Sequence, residues 1–367
     1  MTEPGAATDA LIALFQGEGY ARLEPPILQP ADVFLDLSGE DIRRRMFVTA
    51  DAAGRELCLR PEYTIPVCRH HLATRGGEPA AYGYAGPVFR LRADESGEFL
   101  QAGIESIGRS DAGAADAEIV ALALEGLAVL RAGPLEISVG DMGLLDAVLE
   151  ALRLPATARR RVMRAIVSGR GLDTVAGADT APPGEHAGLL AAIEGQPPEA
   201  ARALVEDVLA IAGITGVGGR SAAEIAERFL ERAARRSGLV PGEARAVLDR
   251  YLAVRGDPDS AALAIRALAR EAGLDLEGSI AALEERTGFM AARGLDVAAF
   301  TFRADFARNL DYYTGFIFEA RAAGADRPVA GGGRYDRLLE HLGAERPTPA
   351  VGCALWLDRI PGAEASR

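Results

Sequence analysis

The sequence predicts an α+β protein in which a sheet-containing core is interrupted by a block of helices. Strand-like runs mixed with helical segments extend to about residue 150, and strand-like runs return from about residue 296. Between them, residues 155–295 are rich in Ala, Arg, Glu and Leu, with apolar residues at helical spacing and segments that end at Gly or Pro. We therefore expect one discontinuous α+β domain, 1–154 and 296–367, with an all-helical insertion at 155–295.

The elements of the first zone follow from local patterns. Helical spacing predicts helices at TDALIALFQ, TIPVCRHHLATR and DAEIVALALEGLAVLRA. The second of these begins near Thr64, because Pro61 keeps Arg60 out of the helical conformation. Taken alone, Glu62 is typical of an acidic residue at a helix start. The strand-like runs are RMFVTAD, ELCLRPEY, AYGYAGPVFRLRA, EFLQAGIESIG and LEISVG.

The last zone is predicted to add strands at VAAFTFRADF, YTGFIFEAR and AVGCALWLD. Before the last of these, Gly331–Gly333 predicts a tight turn that enters a helix. A Gly-rich turn at a helix start can hold an anion, but the spacing lacks the GxxxxGK[ST] pattern of a P-loop. A tight turn alone explains the three glycines.

Composition excludes several classes of protein. The chain has 367 residues and a net charge of −13, which argues against strong binding of nucleic acid. Three cysteines and four scattered histidines predict neither a disulfide framework nor a metal site. The first residues lack a basic n-region, and no apolar run is long enough for a membrane span. We expect a cytoplasmic protein without metal or cofactor.

The strand EFLQAGIESIG places polar groups around a glycine. Alternation puts Gln101, Gly103 and Glu105 on one face, together with Phe99 and Ile107. A glycine inside a strand often marks close approach by a ligand or by another backbone, so this face suits a ligand with an ammonium or imidazole group. An exposed polar face on an edge strand explains the pattern equally well, and the strand alone leaves both interpretations open.

The run RNLDYYTGFIFEAR concentrates aromatic residues in a chain that has few of them. Adjacent residues of a regular strand point to opposite faces, so Tyr312 and Tyr313 can share a pocket only if the backbone bends. Gly315 lies close enough to permit such a bend. Phe316 and Phe318 are predicted to be core residues.

Together, these motifs resemble those of histidyl-tRNA synthetases. LRPEYT is similar to their LRPEGT segment, RNLDYYTGFIFE to the signature RGLDYYTGTVFE, and AGGGRYDRLLEHLG to AGGRYDGL. PPILQPADVFLDLSGED resembles the motif 1 region, and GPVFRLRADESGEFLQAGIESIG resembles the motif 2 region. The resemblance covers about residues 1–150 and 295–360. It implies the class II synthetase fold, a mostly antiparallel sheet with flanking helices.

The resemblance also implies a binding site for histidine. An amino acid with an imidazole ring requires carboxylates near its ammonium and ring NH groups and a guanidinium near its carboxylate. Tyrosine hydroxyls can complete the polar contacts while their rings close the pocket. The residues that match the family's histidine contacts are Glu62, Gln101, Glu105, Arg308, Tyr312, Tyr313 and Gly332.

The segments that handle ATP in synthetases depart from the family pattern. The motif 2 segment reads FRLRADESGEF, where Arg90 matches, Arg92 replaces a glutamate and Glu98 stands in place of an arginine. The motif 3 segment reads GCALWLDR, where Trp356 replaces a glycine and Arg359 is retained. A carboxylate repels phosphates and an indole fills space that adenine needs, so the ATP site is expected to be degenerate.

Two groups of proteins share this core, the synthetases and the regulatory subunits of short-form ATP phosphoribosyltransferase. The degenerate ATP site, the acidic charge and the expected lack of a C-terminal anticodon-binding domain favour the second group. The resemblance then implies a non-catalytic homodimer that binds a short catalytic subunit and histidine, but no tRNA, in the first step of histidine biosynthesis. No catalytic residue is expected. The alternatives are an active histidyl-tRNA synthetase, an orphan histidine-activating enzyme and a scaffold that binds a partner but no ligand.

Overall fold

The computed structural model divides the chain into two compact units, Met1–Ala147 with Tyr251–Arg367, and Val148–Arg250. The residues that the structure describes are 4–37, 42, 44–76, 78–93, 95–170, 172, 203–204, 207–208, 216–217, 220–221, 240, 242–308 and 312–360. Asn309, Leu310 and Asp311 of the aromatic run therefore lie outside the described residues, as does most of the region from 173 to 239.

The described part of the chain mixes helices and strands, as predicted. The α-helices are α1 (Pro4–Gly17), α2 (Ala31–Leu37), α3 (Thr64–Arg75), α4 (Ala112–Val129), α5 (Met142–Ala151), α6 (Ala156–Val167), α7 (Gly242–Leu252), α8 (Pro258–Ala272), α9 (Glu277–Ala292) and α10 (Leu338–His341). The strands are β1 (Ala21–Arg22), β2 (Leu28–Pro30), β3 (Val48–Ala50), β4 (Glu56–Leu59), β5 (Ala80–Phe89), β6 (Glu98–Ile107), β7 (Leu135–Asp141), β8 (Gly216–Val217), β9 (Arg220–Ser221), β10 (Arg255–Gly256), β11 (Thr301–Arg303), β12 (Phe316–Ala322), β13 (Ala330–Arg334) and β14 (Ala350–Trp356). Short 3₁₀ turns occur at Val297–Ala299 and Leu357–Arg359.

A nine-stranded sheet forms the centre of the first unit. Its strand order is β1-β5-β6-β14-β13-β12-β7-β11-β10, and all neighbours are antiparallel except β1 with β5 and β11 with β7. A separate small sheet has the order β2-β4-β3. The mostly antiparallel sheet confirms the predicted class II synthetase-like α+β fold. It also places β6 inside the sheet, so the interpretation of β6 as an exposed edge strand is wrong.

The glycine run that was predicted to form a turn is a buried central strand. All five residues of β13 are buried, and Gly332 pairs with Phe318 on one side and with Cys353 on the other. A Cβ atom on Gly332 would collide with the carbonyl of Gly352 and with Cys353. The glycines therefore allow neighbouring strands to pack closely. Close approach by another backbone, rather than by a ligand, explains these glycines.

The predicted insertion at 155–295 has a different boundary in the structure. Residues 251–295 belong to the first unit, where β10 joins the nine-stranded sheet beside β11. Helix α9 packs in the same unit, since Arg286 donates a hydrogen bond of 2.8 Å to the buried Asp116 of α4. The region also contains the β8–β9 hairpin, so it is not wholly helical. The cause is that α8 and α9 are helical segments rich in Ala, Arg and Glu, like those predicted for the insertion, and the elements they pack against cannot be identified from periodicity.

The second unit is described mainly by its helices. Helix α6 buries Ala158, Val162, Ala165 and Ile166, which recur at helical spacing. Among the described residues, no helix has both the length and the hydropathy that crossing a membrane requires.

Candidate functional site

Glu62 lies in the turn before helix α3 and is 4 % exposed. Its carboxylate accepts hydrogen bonds from the backbone N–H groups of Thr64 at 2.7 Å and Ile65 at 2.9 Å. These N–H groups belong to the first helical turn and have no acceptor within the helix, so the carboxylate acts as a capping group for them. Burial raises the pKa of Glu62 despite these hydrogen bonds. The helix-start interpretation is correct for this residue, and it is compatible with a second role in the site.

Glu105 is the central acceptor of a buried hydroxyl network. Its side chain is 1 % exposed and accepts hydrogen bonds from Thr64 Oγ1 at 2.7 Å, from the Tyr84 hydroxyl at 3.2 Å and from the Tyr335 hydroxyl. Burial raises the pKa of Glu105 to about 8. The carboxyl group is therefore mostly protonated at neutral pH unless a cation lies beside it.

The two adjacent tyrosines precede strand β12 and lie close to each other. The ring centroids of Tyr312 and Tyr313 are 4.9 Å apart, and those of Tyr312 and Tyr335 are 5.7 Å apart in an edge-to-face arrangement. Because both tyrosines lie before the strand begins at Phe316, strand alternation does not separate them. A bend within a regular strand is therefore not required for the two rings to lie together. Phe316 and Phe318 are buried and stacked, as expected for core residues.

Arg308 packs its guanidinium against the sheet. Its Nη1 donates hydrogen bonds to the Phe318 carbonyl at 3.1 Å and to Glu319 Oε1 at 3.3 Å. A Cβ atom at Gly331 would overlap this guanidinium, so the glycine makes room for it. The guanidinium carbon is 5.8 Å from the Tyr313 ring centre, and Nε has no hydrogen-bond partner among the described residues.

Gln101 and Trp356 are register partners on β6 and β14. Both side chains are buried, at 2 % and 6 % exposure. Gln101 Oε1 and Trp356 Nε1 have no hydrogen-bond partner in the described part of the chain. The guanidinium carbon of Arg308 lies 5.6 Å from the Trp356 ring centre, which connects this pair to the tyrosines. Buried polar atoms without partners are costly, so they point to a ligand that pairs with them.

The structure thus brings six of the residues that were predicted to contact a histidine ligand into one cluster. We call this set the polar cluster: Glu62, Gln101, Glu105, Arg308, Tyr312 and Tyr313. Gly332 is the exception, since its nearest described neighbours are on strand β14 and Gly331 is the glycine that touches Arg308. The space beside Gly103, which the sequence suggested for a ligand, is filled by the Tyr84 hydroxyl and the Cys353 carbonyl.

Three further residues of the site were not predicted, namely Thr64, Tyr84 and Tyr335. Thr64 links the two carboxylates, because its N–H donates to Glu62 and its hydroxyl donates to Glu105. Tyr84 is the register partner of Gly103, and Tyr335 belongs to the GGRYD motif that carried the resemblance. The tyrosine of that motif and the alternation of Tyr82 and Tyr84 on β5 were the available signals.

The residues of the predicted degenerate ATP site lie near one another without forming one set of contacts. Arg90 Nε donates to the Pro61 carbonyl at 2.7 Å, and Arg92 donates to Asp358 at 3.0 Å. The guanidinium carbon of Arg359 is 4.5 Å from the centre of the Trp356 ring. Glu98 is exposed at the start of β6. Within the described chain, no group of His, Cys, Asp and Glu residues is arranged to hold a metal ion.

Gly352 is a further requirement of the site, and its replacement tests the packing. A Cβ atom at Gly352 would overlap the Glu105 carboxylate and approach the Ile104 carbonyl. We expect Gly352→Ala to lower the free energy of unfolding by about 1–3 kcal/mol, because the core must shift. Urea unfolding measures this change. The control is Gly278→Ala in α9, where no atom lies within 4 Å of the added Cβ, and unchanged or higher stability is expected. Equal stabilities of the two variants would contradict this packing.

Comparison with known proteins agrees with the fold and the motifs. The family model described as Histidyl-tRNA synthetase matches residues 5–214 and 226–360. Solved structures with the same fold include one titled as an ATP phosphoribosyltransferase regulatory subunit/histidyl-tRNA synthetase from Bacillus halodurans C, with 19% identity and a TM-score of 0.70 over 99% of this chain and 79% of that chain. A histidine–tRNA ligase subunit from Alicyclobacillus acidocaldarius has 25% identity and a TM-score of 0.59, covering 98% of this chain and 92% of that one.

Relatives with higher identity define the group more narrowly. The ATP phosphoribosyltransferase regulatory subunit of Mesorhizobium japonicum is 42% identical over 356 residues, which is 95% of this chain and 94% of the relative. The protein of the same name from Brucella anthropi is 43% identical over 92% of each chain. Identity at this level over nearly the full length of both partners shows family membership. The chain therefore belongs to the ATP phosphoribosyltransferase regulatory subunits, within the histidyl-tRNA synthetase-like family.

Proposed function

We propose that this chain binds histidine in the polar cluster and regulates a separate, short catalytic subunit of ATP phosphoribosyltransferase. The observation that carries the proposal is the pair of buried carboxylates, Glu62 and Glu105, joined through Thr64. In the described chain neither carboxylate forms an ion pair. The Arg90 guanidinium acts on Glu62 but offsets only part of the cost of its burial, so a cationic ligand beside the two buried acids would be favourable.

The other members of the polar cluster suit the remaining groups of histidine. Gln101 Oε1 is a buried acceptor without a described partner and can receive an N–H of the ligand. The Arg308 guanidinium has an unused Nε–H and lies beside Tyr313, so it can pair with the ligand carboxylate. The tyrosine rings supply apolar walls with hydroxyl groups at their ends. An amino acid with a second basic group satisfies all of these features together.

Isothermal titration of the full chain with histidine tests the proposed ligand. We expect saturable heat that Tyr312→Phe reduces, because this tyrosine closes the cluster. Lysine and glutamine serve as comparison ligands, since neither provides an imidazole ring. Absence of heat at millimolar histidine, or equal affinity for all three amino acids, would contradict the proposal that the polar cluster senses histidine. In that case the polar cluster is a remnant of a synthetase site.

The proposed partner follows from the names of the relatives, which are regulatory subunits. We propose that the chain itself is non-catalytic and that the glycosyltransferase activity belongs to the complex. Histidine can inhibit only if it binds one assembly state better than another. Pulldown of the short catalytic subunit, with and without histidine, tests both statements. Histidine-dependent ATP–pyrophosphate exchange by this chain alone would favour a histidine-activating enzyme instead.

We also propose that the chain forms a homodimer and does not bind tRNA. The small sheet carries exposed apolar residues, with Leu28 of β2 at 50% and Val48 of β3 at 52% exposure, and neighbouring Ile27 at 42%. Exposed apolar side chains are a common feature of contact surfaces between proteins. The net charge of −13 is unfavourable for binding tRNA, because the tRNA backbone is also negatively charged. Light scattering gives the mass of the assembly, and a monomeric mass would contradict the dimer.

Proton release provides a separate check on the role of Glu105. Because burial raises its pKa to about 8, the empty site holds a proton at pH 7. A cationic ligand stabilises the carboxylate, so binding at pH 7 should release up to about one proton. The affinity for histidine should therefore rise by up to about tenfold between pH 7 and pH 8.5, because at the higher pH Glu105 is already largely ionised before the ligand binds.

Titration at pH 7 in two buffers of different ionisation enthalpy counts the released protons. Tyr313→Phe is the matched control, because burial raises the pKa of Tyr313 to about 12 and its hydroxyl keeps its proton throughout. This variant should bind histidine more weakly and release the same number of protons. Binding heats that do not depend on the buffer would show that Glu105 does not ionise on binding.

A further inference from the structure

A row of paired residues crosses the central sheet beside the polar cluster. Antiparallel pairing sets Gly86 of β5 opposite Gln101 of β6, and it sets Gln101 opposite Trp356 of β14. Directly paired residues of neighbouring strands lie on the same face of a sheet. Glu105 lies four positions after Gln101 on β6, so strand alternation puts it on that face as well. Trp356 therefore shares a face of the sheet with the central carboxylate of the site.

Buried polar atoms without partners are concentrated at this row. The Tyr63 hydroxyl lies over Gly86, where a Cβ atom would stand, and the Arg308 guanidinium carbon is 5.6 Å from the Trp356 ring centre. In the described chain, seven side chains have a buried polar atom without a hydrogen-bond partner, and four of them lie at this row: Tyr63 Oη, Gln101 Oε1, Trp356 Nε1 and Arg308 Nε. Most buried polar atoms in proteins are paired, so this concentration points to a ligand.

Two of these four atoms can only donate a hydrogen bond. The Trp356 indole and the Arg308 guanidinium carry N–H groups and no acceptor, so the group that pairs with them must be an acceptor. Glu319 pairs with Arg308 Nη1 at 3.3 Å, but it is shared with Arg321 at 3.2 Å, and Arg308 Nε stays without a described partner. A carboxylate accepts at two oxygens, each through a hydrogen bond of about 2.9 Å, so it can join donors on two neighbouring groups.

The indole of Trp356 is fixed before any ligand binds. Its side chain is buried in the same apolar core as Phe99 and Tyr312. Its backbone N–H donates to the Val329 carbonyl at 2.9 Å, which holds the end of β14 in the sheet. The guanidinium carbon of Arg359 packs 4.5 Å from the ring centre. A donor that is already held in place loses little conformational entropy on binding, so the indole N–H is a favourable contact for a small ligand.

We propose that Trp356 is a specificity-determining residue, whose indole Nε1–H donates a hydrogen bond to the carboxylate of the bound amino acid beside Arg308. This inference rests on the proposed function and adds a second group that recognises the ligand carboxylate. The sequence suggested only that the indole fills space that adenine needs. The buried N–H and its position on the face of Glu105 support a direct role in ligand binding. The site then selects amino acids over amines that lack a carboxylate.

Fluorescence of the single tryptophan of the chain tests the position of the indole. Histidine is titrated into the full chain with excitation where tyrosine does not absorb, and the heat of binding is measured on the same preparation. The fluorescence change and the heat should saturate at the same histidine concentration. Heat without a change in fluorescence would overturn the role of Trp356 and leave histidine binding intact. Absence of both signals would contradict the proposed function, and this inference with it.

Trp356→Phe tests the hydrogen bond, because it removes the N–H group and keeps an aromatic ring. We expect this variant to bind histidine about tenfold more weakly, since a hydrogen bond to a charged acceptor is lost. The chain has no second tryptophan, so the matched control is a second ligand, histamine, which is histidine without its carboxylate. Histamine binding, measured by displacement of histidine, should be equal for the variant and the unmodified chain.

Two results with Trp356→Phe would overturn the proposal. Unchanged affinity for histidine would show that the indole N–H makes no contact with the ligand. Equal weakening of histidine and histamine would show that the indole only packs against the site. The fluorescence titration needs no variant, so it decides the role of Trp356 even where Trp356→Phe fails to fold.

Discussion

Replacing Glu105 with glutamine is expected to weaken histidine binding by at least about 30-fold, since removing one partner of a buried charged contact costs about 2–5 kcal/mol. The fold should tolerate the change. Because burial raises the pKa of Glu105 to about 8, the empty protein already holds a neutral acid there, and a carboxamide has nearly the same shape. The carboxamide oxygen can accept from the hydroxyls of Thr64 and Tyr84, and the amide NH2 can donate to the hydroxyl oxygen of Tyr335.

Isothermal titration measures this loss, and thermal unfolding confirms that the variant remains folded. Glu98→Gln is the control, since Glu98 lies on the same strand but is exposed at its first position. The control should bind histidine normally. If Glu105→Gln binds histidine as tightly as the unmodified chain, the polar cluster is not the histidine site. If both variants lose binding equally, the effect comes from overall charge rather than from the buried carboxylate.

The sequence predicted local elements well where one local rule decides them. Helix α3 spans Thr64–Arg75, as predicted from the Pro61 constraint and the following helical run. Strand β6 matches the run with alternating polar residues. Gly331–Gly333 was assigned to a turn because glycine is common in turns. Its true role depends on Arg308 and on the backbone of β14, which are far away in sequence.

The site was predictable only as a list of residues. Glu62, Glu105 and Tyr312 could be identified from motifs, but the link through Thr64 depends on how α3 packs against β6. Burial of Gln101 depends on the position of β6 inside the sheet, and a single strand does not contain that information.

A buried ionic network joins helix α9 to α4 and to the central sheet. Asp116 of α4 is fully buried and accepts hydrogen bonds from Arg286 of α9 at 2.8 Å and from Arg334 of β13 at 2.6 Å. Arg334 in turn supports the loop with the paired tyrosines, because its carbonyl accepts from Thr314 N–H at 2.9 Å and its side chain packs on Gly315. The network therefore joins α9 to the loop beside the polar cluster.

Asp116→Asn is expected to lower the free energy of unfolding by about 1.5–3 kcal/mol, because two buried guanidinium groups lose their shared carboxylate. Arg286 then keeps only the carboxylate of Asp141, and Arg334 keeps only that of Asp336. Urea unfolding measures the change. Asp305→Asn is the matched control: Asp305 also accepts from two arginines, Arg255 and Arg303, but this group is partly exposed and should contribute less than about 1 kcal/mol. Equal effects would show that burial does not strengthen the network. A stable Asp116→Asn protein would mean that the other contacts of α9, among them the pair of Arg286 with Asp141, hold the helix without Asp116.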